Sequence, residues 1–176
     1  MYTADGKTNG PAFSWPDGKR IAVMVTFDYD AEFLRMSRAK SKGTSIGFTD
    51  FSRGQYGPHE GLARCLDMLD TMNIKSTFFV PGAVIETYRD TVEEIHRRGH
   101  ELACHGYQHE SSPELTREEM EEILDKSESL LFDITGKKPA GHRAPESVLQ
   151  DFMPELLAKR GYLYSSSMKD CDWAYL

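Results

Sequence analysis

Two pairs of side chains in this sequence could hold a metal ion and move a proton beside it. Asp28 and Asp30 follow the apolar run 21–27, and His105 and His109 follow the short segment 101–104. Two imidazoles four residues apart can approach one cation from a single turn, and a carboxylate would complete the open three-ligand arrangement of catalytic zinc. If residues 28–30 stay extended, both carboxylates lie on one face, where one could bind the cation and the other could handle a proton.

These pairs sit within an alternation of strand-like and helix-like segments. The run 21–27 is β-branched and aromatic and shorter than a typical helix, so it predicts a buried strand. Further strands are predicted over 76–80, 101–104 and 162–166, and helices over 62–72, 88–95, 116–134 and 149–157. Thr116 with Glu119 is typical of a capping box, and Gly136 is the expected end of that helix.

The order of these elements predicts an α/β fold with a mainly parallel sheet covered by helices. Either a barrel or an open doubly wound sheet would fit the alternation. In parallel barrels, catalytic groups lie at the C-terminal ends of strands, where the connecting loops converge. The four residues above satisfy this rule, and Arg143 would satisfy it if residues 139–142 form a short strand. The alternatives are surface histidines, an Asp-x-Asp turn and a structural ion pair for Arg143.

Three segments also resemble motifs of a known enzyme family. TFDYD at 26–30, HGYQH at 105–109 and GHRAP at 141–145 look like the first three motifs of the polysaccharide deacetylases, carbohydrate esterase family 4. FSRG at 51–54, FFVPG at 78–82 and CHGY at 104–107 further resemble a branch that includes peptidoglycan deacetylases and amidohydrolases of cyclic ureides and imides. The resemblance implies a distorted (β/α) barrel.

The resemblance also implies that residues 1–176 form a single catalytic domain of this type, whose C-terminal part is missing. Family members continue with further strands, one of which carries a histidine that serves as general acid to the leaving amine. A closed barrel typically takes about 250 residues. We therefore expect either a fragment or a fold that a second chain completes.

Roles for individual residues follow from the same resemblance. Asp30, His105 and His109 would be the metal ligands, Asp28 the general base, and Arg143 the residue that holds Asp28 in place. Zinc is the expected metal, although iron, cobalt and nickel share the preference for two imidazoles and a carboxylate.

Several other polar groups are candidates for supporting roles. Backbone N–H groups just after Pro145, or that of Tyr107, could stabilise the oxyanion of a tetrahedral intermediate. Glu32 could lie behind the ligands or face solvent, and His142 is a minor candidate beside Arg143.

Two further segments are interpreted more simply. His96 and His100 are expected at a helix C-terminus, where a cation is favourable without any catalytic role. The polar segment 35–58 is predicted to be a long loop. It would be either a binding loop in which Arg53 and Tyr56 contact substrate, or a mobile excursion.

Composition excludes some classes of function. The 176 residues are 39% hydrophobic and 28% charged, as in one soluble domain, and a net charge of −7 lacks the basic patch of a nucleic-acid-binding protein. No apolar run approaches the length of about 18 residues typical of a membrane span, and residues 1–9 lack a signal-peptide core. Cys65, Cys104 and Cys171 are few and odd in number, which suits free thiols. A cytoplasmic location is therefore predicted.

Three hypotheses for function remain open at this stage. The leading one is metal-dependent deacetylation of an N-acetylated polysaccharide or amino sugar. The second is opening of a small cyclic amide, imide or ureide, as in an allantoinase-like amidohydrolase. The third is a non-catalytic fragment or metal-binding subunit. The expected partner is an N-acetylated glycan or a small cyclic amide as substrate. Binding to nucleic acid or to a membrane is not expected. Whether the chain forms a homo-oligomer is left open.

Overall fold

Five short parallel strands form one sheet in this protein, seen in a computed structural model that describes residues 16–169. Contacts divide the chain into a larger unit, Val25–Met168, and a smaller one made of Met1–Met24 with Lys169–Leu176. All five strands belong to the larger unit. Cys171 and residues 1–9, interpreted above, lie outside the described residues.

The strands and helices alternate as the sequence predicts. The strands are β1 (Thr26–Asp28), β2 (Thr77–Val80), β3 (Glu101–Cys104), β4 (Gly141–His142) and β5 (Tyr164–Ser165). The helices are α1 (Phe33–Ser41), α2 (Phe48–Tyr56), α3 (Leu62–Thr71), α4 (Gly82–Thr87), α5 (Arg89–Arg97), α6 (Arg117–Thr135) and α7 (Met153–Arg160). A π turn, Gly57–Gly61, joins α2 to α3, and 3-10 turns lie at Pro16–Gly18 and Pro145–Ser147.

Strand order decides between the two architectures that the alternation allowed. The sheet runs β1-β2-β3-β4-β5, and each strand is parallel to the next. A doubly wound sheet reverses its strand order at a switch point, whereas a (β/α) barrel winds in one direction. The described sheet is therefore a curled half of a (β/α) barrel, and the predicted fold class is confirmed.

The core lies between the sheet and the helices. In strand β2, successive side chains point to opposite faces of the sheet. Phe78 and Val80 enter the core cluster, whereas Phe79 faces the other side of the sheet. The helices contribute the opposing side chains, notably Leu66, Leu69, Val92, Ile95, Leu124 and Leu131. Burial of each such side chain stabilises the fold by about 1.5–3 kcal/mol, which fixes the strands that carry the polar loops.

The predicted ends of α6 are confirmed. Thr116 Oγ1 accepts a hydrogen bond from Glu119 N at 3.2 Å, and Glu119 Oε2 accepts one from Thr116 N at 2.8 Å. This reciprocal pair is the capping box. Gly136 ends the helix in the left-handed conformation, with φ +68°.

The first predicted strand is wrong over most of its length. Strand β1 begins only at Thr26, and Ile21, Val23 and Met24 are exposed. In the parallel register Thr26 pairs with Thr77, the first residue of β2. β-branched residues form a strand only where a partner strand is present, and β-propensity alone did not make residues 21–24 a strand.

The prediction of a long loop over 35–58 is also wrong, because most of this segment lies in α1 and α2. Helix α1 has no fully buried residue and α2 has only Gly54, so neither helix leaves an apolar stripe in the sequence. Gly54 allows helix α2 to approach the backbone of Glu32 closely. A Cβ at this position would lie 2.3 Å from Glu32 Cα.

His100 differs from its prediction as well. Its side chain is buried, and its Nδ1 accepts a hydrogen bond from Ser76 N at 3.2 Å. Burial, followed by the charge of Lys75, lowers its pKa, so it is neutral in the fold and does not act as a cation at the helix end. His96 lies in the last turn of α5, as expected.

The described residues also test the expectations about membrane spans and disulfide bonds. The helices that the structure describes include none with both the length and the apolar content needed to cross a bilayer. Cys65 and Cys104 are free thiols, as predicted. A cytoplasmic location stays a prediction.

Gly54→Ala should destabilise the protein by about 1–3 kcal/mol, because the new methyl group meets the backbone of Glu32 and α2 must shift. Gly57→Ala is the matched control, since a Cβ there meets nothing within 4 Å. Urea unfolding of both variants measures the difference. Equal unfolding free energies would show that α2 does not depend on this close contact.

Candidate active site

The candidate residues lie at the C-terminal ends of neighbouring strands. Tyr29 N donates to Phe79 O at 2.9 Å, so pairing with β2 continues up to the residue before Asp30. His105 is the first residue after β3, and Arg143 the first after β4. Because Cys104 pairs with His142, these two ends lie side by side. The parallel sheet thus brings three distant parts of the sequence to one edge.

Asp30, His105 and His109 converge at this edge. One ligand atom from each lies within 4.8 Å of the others. His105 Nε2 is 3.5 Å from Asp30 Oδ1, and His109 Nε2 is 3.6 Å from Asp30 Oδ2. Both imidazoles are at most 2% exposed. These separations are too long for hydrogen bonds, so the three side chains approach one another without pairing.

A hydrogen bond to the main chain determines the tautomer of His105. Its Nδ1 lies 2.7 Å from Arg143 O. A carbonyl oxygen can only accept, so Nδ1 carries the proton and Nε2 presents its lone pair to the cluster. Asp30 Oδ1 and His105 Nε2 are buried and have no hydrogen-bond partner among the described residues.

Burial changes the acid–base properties of the cluster. It raises the pKa of Asp30 to about 7, with a further contribution from the charge of Asp28. Burial and the neighbouring His105 lower the pKa of His109 to about 4, and burial also lowers the pKa of His105. Both imidazoles are therefore neutral at pH 7, which is the form that binds metal ions. They form no ion pair with Asp30.

The donor set fits a divalent cation. The imidazoles lie 3.5 and 3.6 Å from different oxygens of Asp30, and one donor atom of each side chain lies within 4.8 Å of the others, so the three could share one cation. Buried acceptors without donors are costly unless a cation or a donor reaches them. A positive ion would satisfy both unpartnered atoms and the carboxylate.

Asp28 lies beside this cluster and is held by Arg143. Arg143 Nη1 donates to Asp28 Oδ1 at 2.6 Å. The Asp28 side chain is 40% exposed, whereas that of Asp30 is 13% exposed. Two carboxylates two residues apart thus have different surroundings. Asp30 is enclosed with the imidazoles, and Asp28 can be reached from solvent.

Arg143 is itself held by residues that the sequence did not suggest. Its Nη2 donates to Ser166 Oγ at 2.8 Å and to Thr26 Oγ1 at 3.1 Å. Its guanidinium lies over the Phe79 ring, 3.9 Å from the centroid. Ser166 is the last residue of the predicted strand 162–166, and this position gave no indication of the contact.

The two backbone N–H groups suggested for an oxyanion differ in availability. Tyr107 N already donates to Glu110 Oε2 at 2.9 Å, so this N–H would have to leave Glu110 to serve an oxyanion. Glu146, which follows Pro145, has an N–H with no acceptor among the described residues. Its φ is +51°, a left-handed conformation that costs a residue with a Cβ about 1–2 kcal/mol.

The remaining candidates are not among the three convergent ligands. Glu32 is buried and accepts from Tyr88 OH at 2.9 Å, so it does not face solvent. His142 is buried and is not among the convergent ligands. Arg53 pairs with Asp50, and Tyr56 accepts from Arg64. The structure brings none of these four residues into the Asp30 cluster.

A groove of about 910 Å³ lies along α1, and none of Asp28, Asp30, His105 and His109 lines it. Gln108 and Glu110, the neighbours of His109, line it. It combines apolar and polar side chains, including Met36, Ile46, Leu115, Thr44 and Ser111. Apolar surface edged by hydroxyl and amide groups suits a ligand that has both C–H faces and hydroxyl groups.

Comparison with known proteins places this site in a family. The family model described as polysaccharide deacetylase matches residues 16–165. The chain belongs to the polysaccharide deacetylase family. The matched region contains Asp28, Asp30, His105, His109 and Arg143, and it covers all five strands of the half-barrel.

Individual relatives agree with this assignment. The chain is 36% identical to a peptidoglycan deacetylase of Helicobacter pylori, over 88% of this chain and 52% of that protein. It is 33% identical to a peptidoglycan deacetylase-like protein, FGM2, of Gibberella zeae, over 88% of this chain and 46% of that protein. The chain thus spans about half the length of the curated relatives it matches.

Solved structures show the same fold. A protein of Mycobacterium smegmatis assigned to the polysaccharide deacetylases has a TM-score of 0.82 and 38% identity, over 91% of this chain and 55% of that one. A PuuE allantoinase structure has a TM-score of 0.77 at 20% identity, over 90% of this chain and 57% of that one. The second likeness shows the fold alone.

In protein freed of metal with EDTA, Asp30→Asn should raise the free energy of unfolding at pH 8 by on the order of a few kcal/mol. Burial raises the pKa of Asp30 from 3.8 to about 7, so the folded wild-type protein binds this proton more tightly than the unfolded chain does. The resulting stabilisation is fully present below about pH 3.8 and is lost as the pH rises through 7. The gain should therefore vanish near pH 4. Urea unfolding across this range measures it.

Asp151→Asn, at an exposed position, is the control, and its free energy of unfolding should depend on pH as that of the wild-type protein does. If Asp30→Asn also followed the wild-type profile, ionisation of Asp30 would not be costly in the metal-free fold.

Proposed function

We propose that this chain carries the metal-binding part of a hydrolase that removes N-acetyl groups from an N-acetylated glycan. The observation that carries the proposal is the convergence of Asp30, His105 and His109 beside an Asp28 that is held by Arg143. Membership of the polysaccharide deacetylase family supports this choice of reaction. Two relatives described as peptidoglycan deacetylases or similar to them support the class of substrate.

Asp30, His105 and His109 would hold the divalent ion, and zinc is the expected metal. When bound, such an ion lowers the pKa of water towards about 7 and polarises a carbonyl oxygen. His105 is prepared for this role because its proton is held on Nδ1 by Arg143 O. Both imidazoles are already neutral, so binding needs no proton to be removed from either ring at pH 7.

Asp28 is the group that accepts a proton from the attacking water. It is close to the cluster and open to solvent, and Arg143 holds its Oδ1. The Glu146 N–H donates to the oxygen of the tetrahedral intermediate, because it has no other acceptor among the described residues. Its left-handed backbone is consistent with a functional turn.

The groove beside His109 supports a long substrate over a small one. Its volume of about 910 Å³ is large compared with a single acetamide group. Hydroxyl groups along its edge could bind sugar hydroxyls, while Met36, Ile46 and Leu115 could pack against sugar C–H faces. We therefore favour an oligomeric glycan.

Opening of a cyclic amide would use the same ligands and the same base. The likeness to the allantoinase structure, at 20% identity, concerns the fold alone. Cyclic imides therefore serve as the comparison substrates in the assays below.

Substitution of the ligands should separate metal binding from chemistry. Asp30→Ala or His105→Ala should abolish retention of zinc or cobalt through gel filtration, because two remaining donors hold the ion weakly. Asp28→Asn should keep the metal and lose at least about 100-fold in rate, the contribution typical of a general base. Metal analysis and release of acetate from N-acetylglucosamine oligomers measure the two effects.

Wild-type protein that retains no metal would refute the assignment of ligands. Retained metal together with inactivity on both glycan oligomers and cyclic imides would instead favour a non-catalytic role. Hydrolysis of cyclic imides without release of acetate from glycan oligomers would favour a small cyclic amide as the substrate.

The groove predicts that KM falls with the length of the glycan. Met36→Glu should raise KM for a tetramer of N-acetylglucosamine several-fold and leave KM for the monomer unchanged, because the charge is placed on the apolar part of the groove. Met68→Glu is the matched control, on the exposed side of α3. Equal effects of the two variants on the tetramer would exclude the groove from binding.

A further inference from the structure

Several residues at the candidate site have left-handed backbone conformations although they are not glycine, and two of them have proposed roles in the site. His109, one of the convergent ligands, has φ +60°, and Glu146, whose N–H has no acceptor among residues 16–169, has φ +51°. Side chains with a Cβ rarely adopt this conformation, and it persists only where the surroundings hold it. Each of these residues therefore needs contacts that stabilise its turn.

Consecutive side chains of helix α1 make such contacts with both residues. Ser37 Oγ donates to His109 O at 2.6 Å. Arg38 Nε donates to Glu146 Oε1 at 2.5 Å. His109 and Glu146 are 37 residues apart in the sequence and lie on different loops, so α1 joins the two loops at their strained positions.

The contribution of α1 to the core is small by comparison. The helix has no fully buried residue, although Phe33 packs against the edge of the core cluster. Removal of a hydroxyl or guanidinium group from such a helix should cost little global stability. The contacts of Ser37 and Arg38 with the site loops thus need an explanation other than packing.

The two contacts differ in strength. The Ser37 bond is part-buried, and the free energy of such a bond is comparable with the cost of one left-handed residue. The Arg38 pair is more exposed, with side chains 55% and 32% accessible, so it is weaker and is screened by salt. The turn at Glu146 has additional support, since Ser147 N donates to Ala144 O and Val148 N donates to Pro145 O.

We propose that Ser37 and Arg38 are positioning residues, with Ser37 fixing His109 as a metal ligand and Arg38 fixing the Glu146 N–H for the oxyanion. The helix α1 then acts as a brace between the ligand loop and the oxyanion turn. The Arg38 part rests on the proposed function, whereas the Ser37 part concerns metal affinity and stands without catalysis.

Metal affinity tests Ser37. The dissociation constant for zinc, measured by competition with a chromophoric chelator, should rise about 10-fold or more in Ser37→Ala, as for other groups that orient metal ligands. Ser37→Thr keeps the hydroxyl and should recover most of the affinity. Ser41→Ala is the matched control, because Ser41 donates only to Arg38 O in its own helix.

An affinity of Ser37→Ala within twofold of wild type, with the protein folded, would overturn the role of Ser37. Loss of affinity in both Ser37→Ala and Ser41→Ala would overturn it too, since that result would reflect damage to α1 as a whole.

Turnover and hydrogen exchange test Arg38. Arg38→Ala should lower kcat about 10-fold with KM and zinc affinity nearly unchanged, because a displaced oxyanion donor affects only the transition state. Amides of residues 146–148 should exchange faster. Arg38→Lys should restore part of kcat, and added salt should reduce the wild-type rate more than that of Arg38→Ala.

Arg35→Ala is the control, since Arg35 lies on the same helix but pairs with Asp50 at 3.4 Å. If Arg38→Ala matched Arg35→Ala in both kcat and exchange, the role of Arg38 would be excluded. If wild-type protein were inactive on every substrate, the proposed function would fail, and exchange at 146–148 together with zinc affinity would still decide whether α1 braces the two loops.

Discussion

The hydrogen bond between His105 Nδ1 and Arg143 O is the interaction on which the candidate site depends. It fixes the tautomer of a convergent histidine and ties the end of β3 to the end of β4. The backbone N of the same arginine donates to Cys104 O, and its guanidinium binds Asp28. Arg143 therefore links the histidine loop to the carboxylate at the end of β1 through main-chain and side-chain bonds together.

A second constraint is the burial of a carboxylate beside two neutral imidazoles. Burial raises the pKa of Asp30 to about 7, so without a cation the ionised form is unfavourable. The sheet and its core supply the stability that offsets this cost, since β2 and β3 are buried along nearly their whole length. Functional sites commonly have such local instability, because groups arranged for a ligand are not arranged for the empty fold.

Elements with an apolar stripe or a cap were predictable from sequence, and elements without either were not. Helix α6 carries a capping box and a buried stripe, and its prediction is confirmed at both ends. Helices α1 and α2 bury almost nothing and were predicted as a loop. Ile21 and Val23 had the composition of a strand, but β-propensity produces a strand only where a neighbour is in register.

The candidate site shows the same division at the level of single residues. The positions of Asp28, Asp30, His105, His109 and Arg143 after short apolar runs indicated that they would meet at one edge of a parallel sheet. The contacts of Ser37, Arg38, Ser166 and Glu110 with the site left no pattern in the sequence. Glu110 in particular accepts a hydrogen bond from the Tyr107 N–H, which the sequence had suggested as a donor to an oxyanion.

The amino-acid sequence by itself determined the α/β class, the family motifs and the set of residues that could bind a metal, because these depend on local periodicity and residue type. Tertiary structure alone decided the barrel-like strand order, the tautomer of His105, the different surroundings of Asp28 and Asp30, and the link from α1 to both loops. These properties arise from contacts between residues far apart in the chain. Local propensity carries no record of such contacts, since their geometry exists only after the strands have paired.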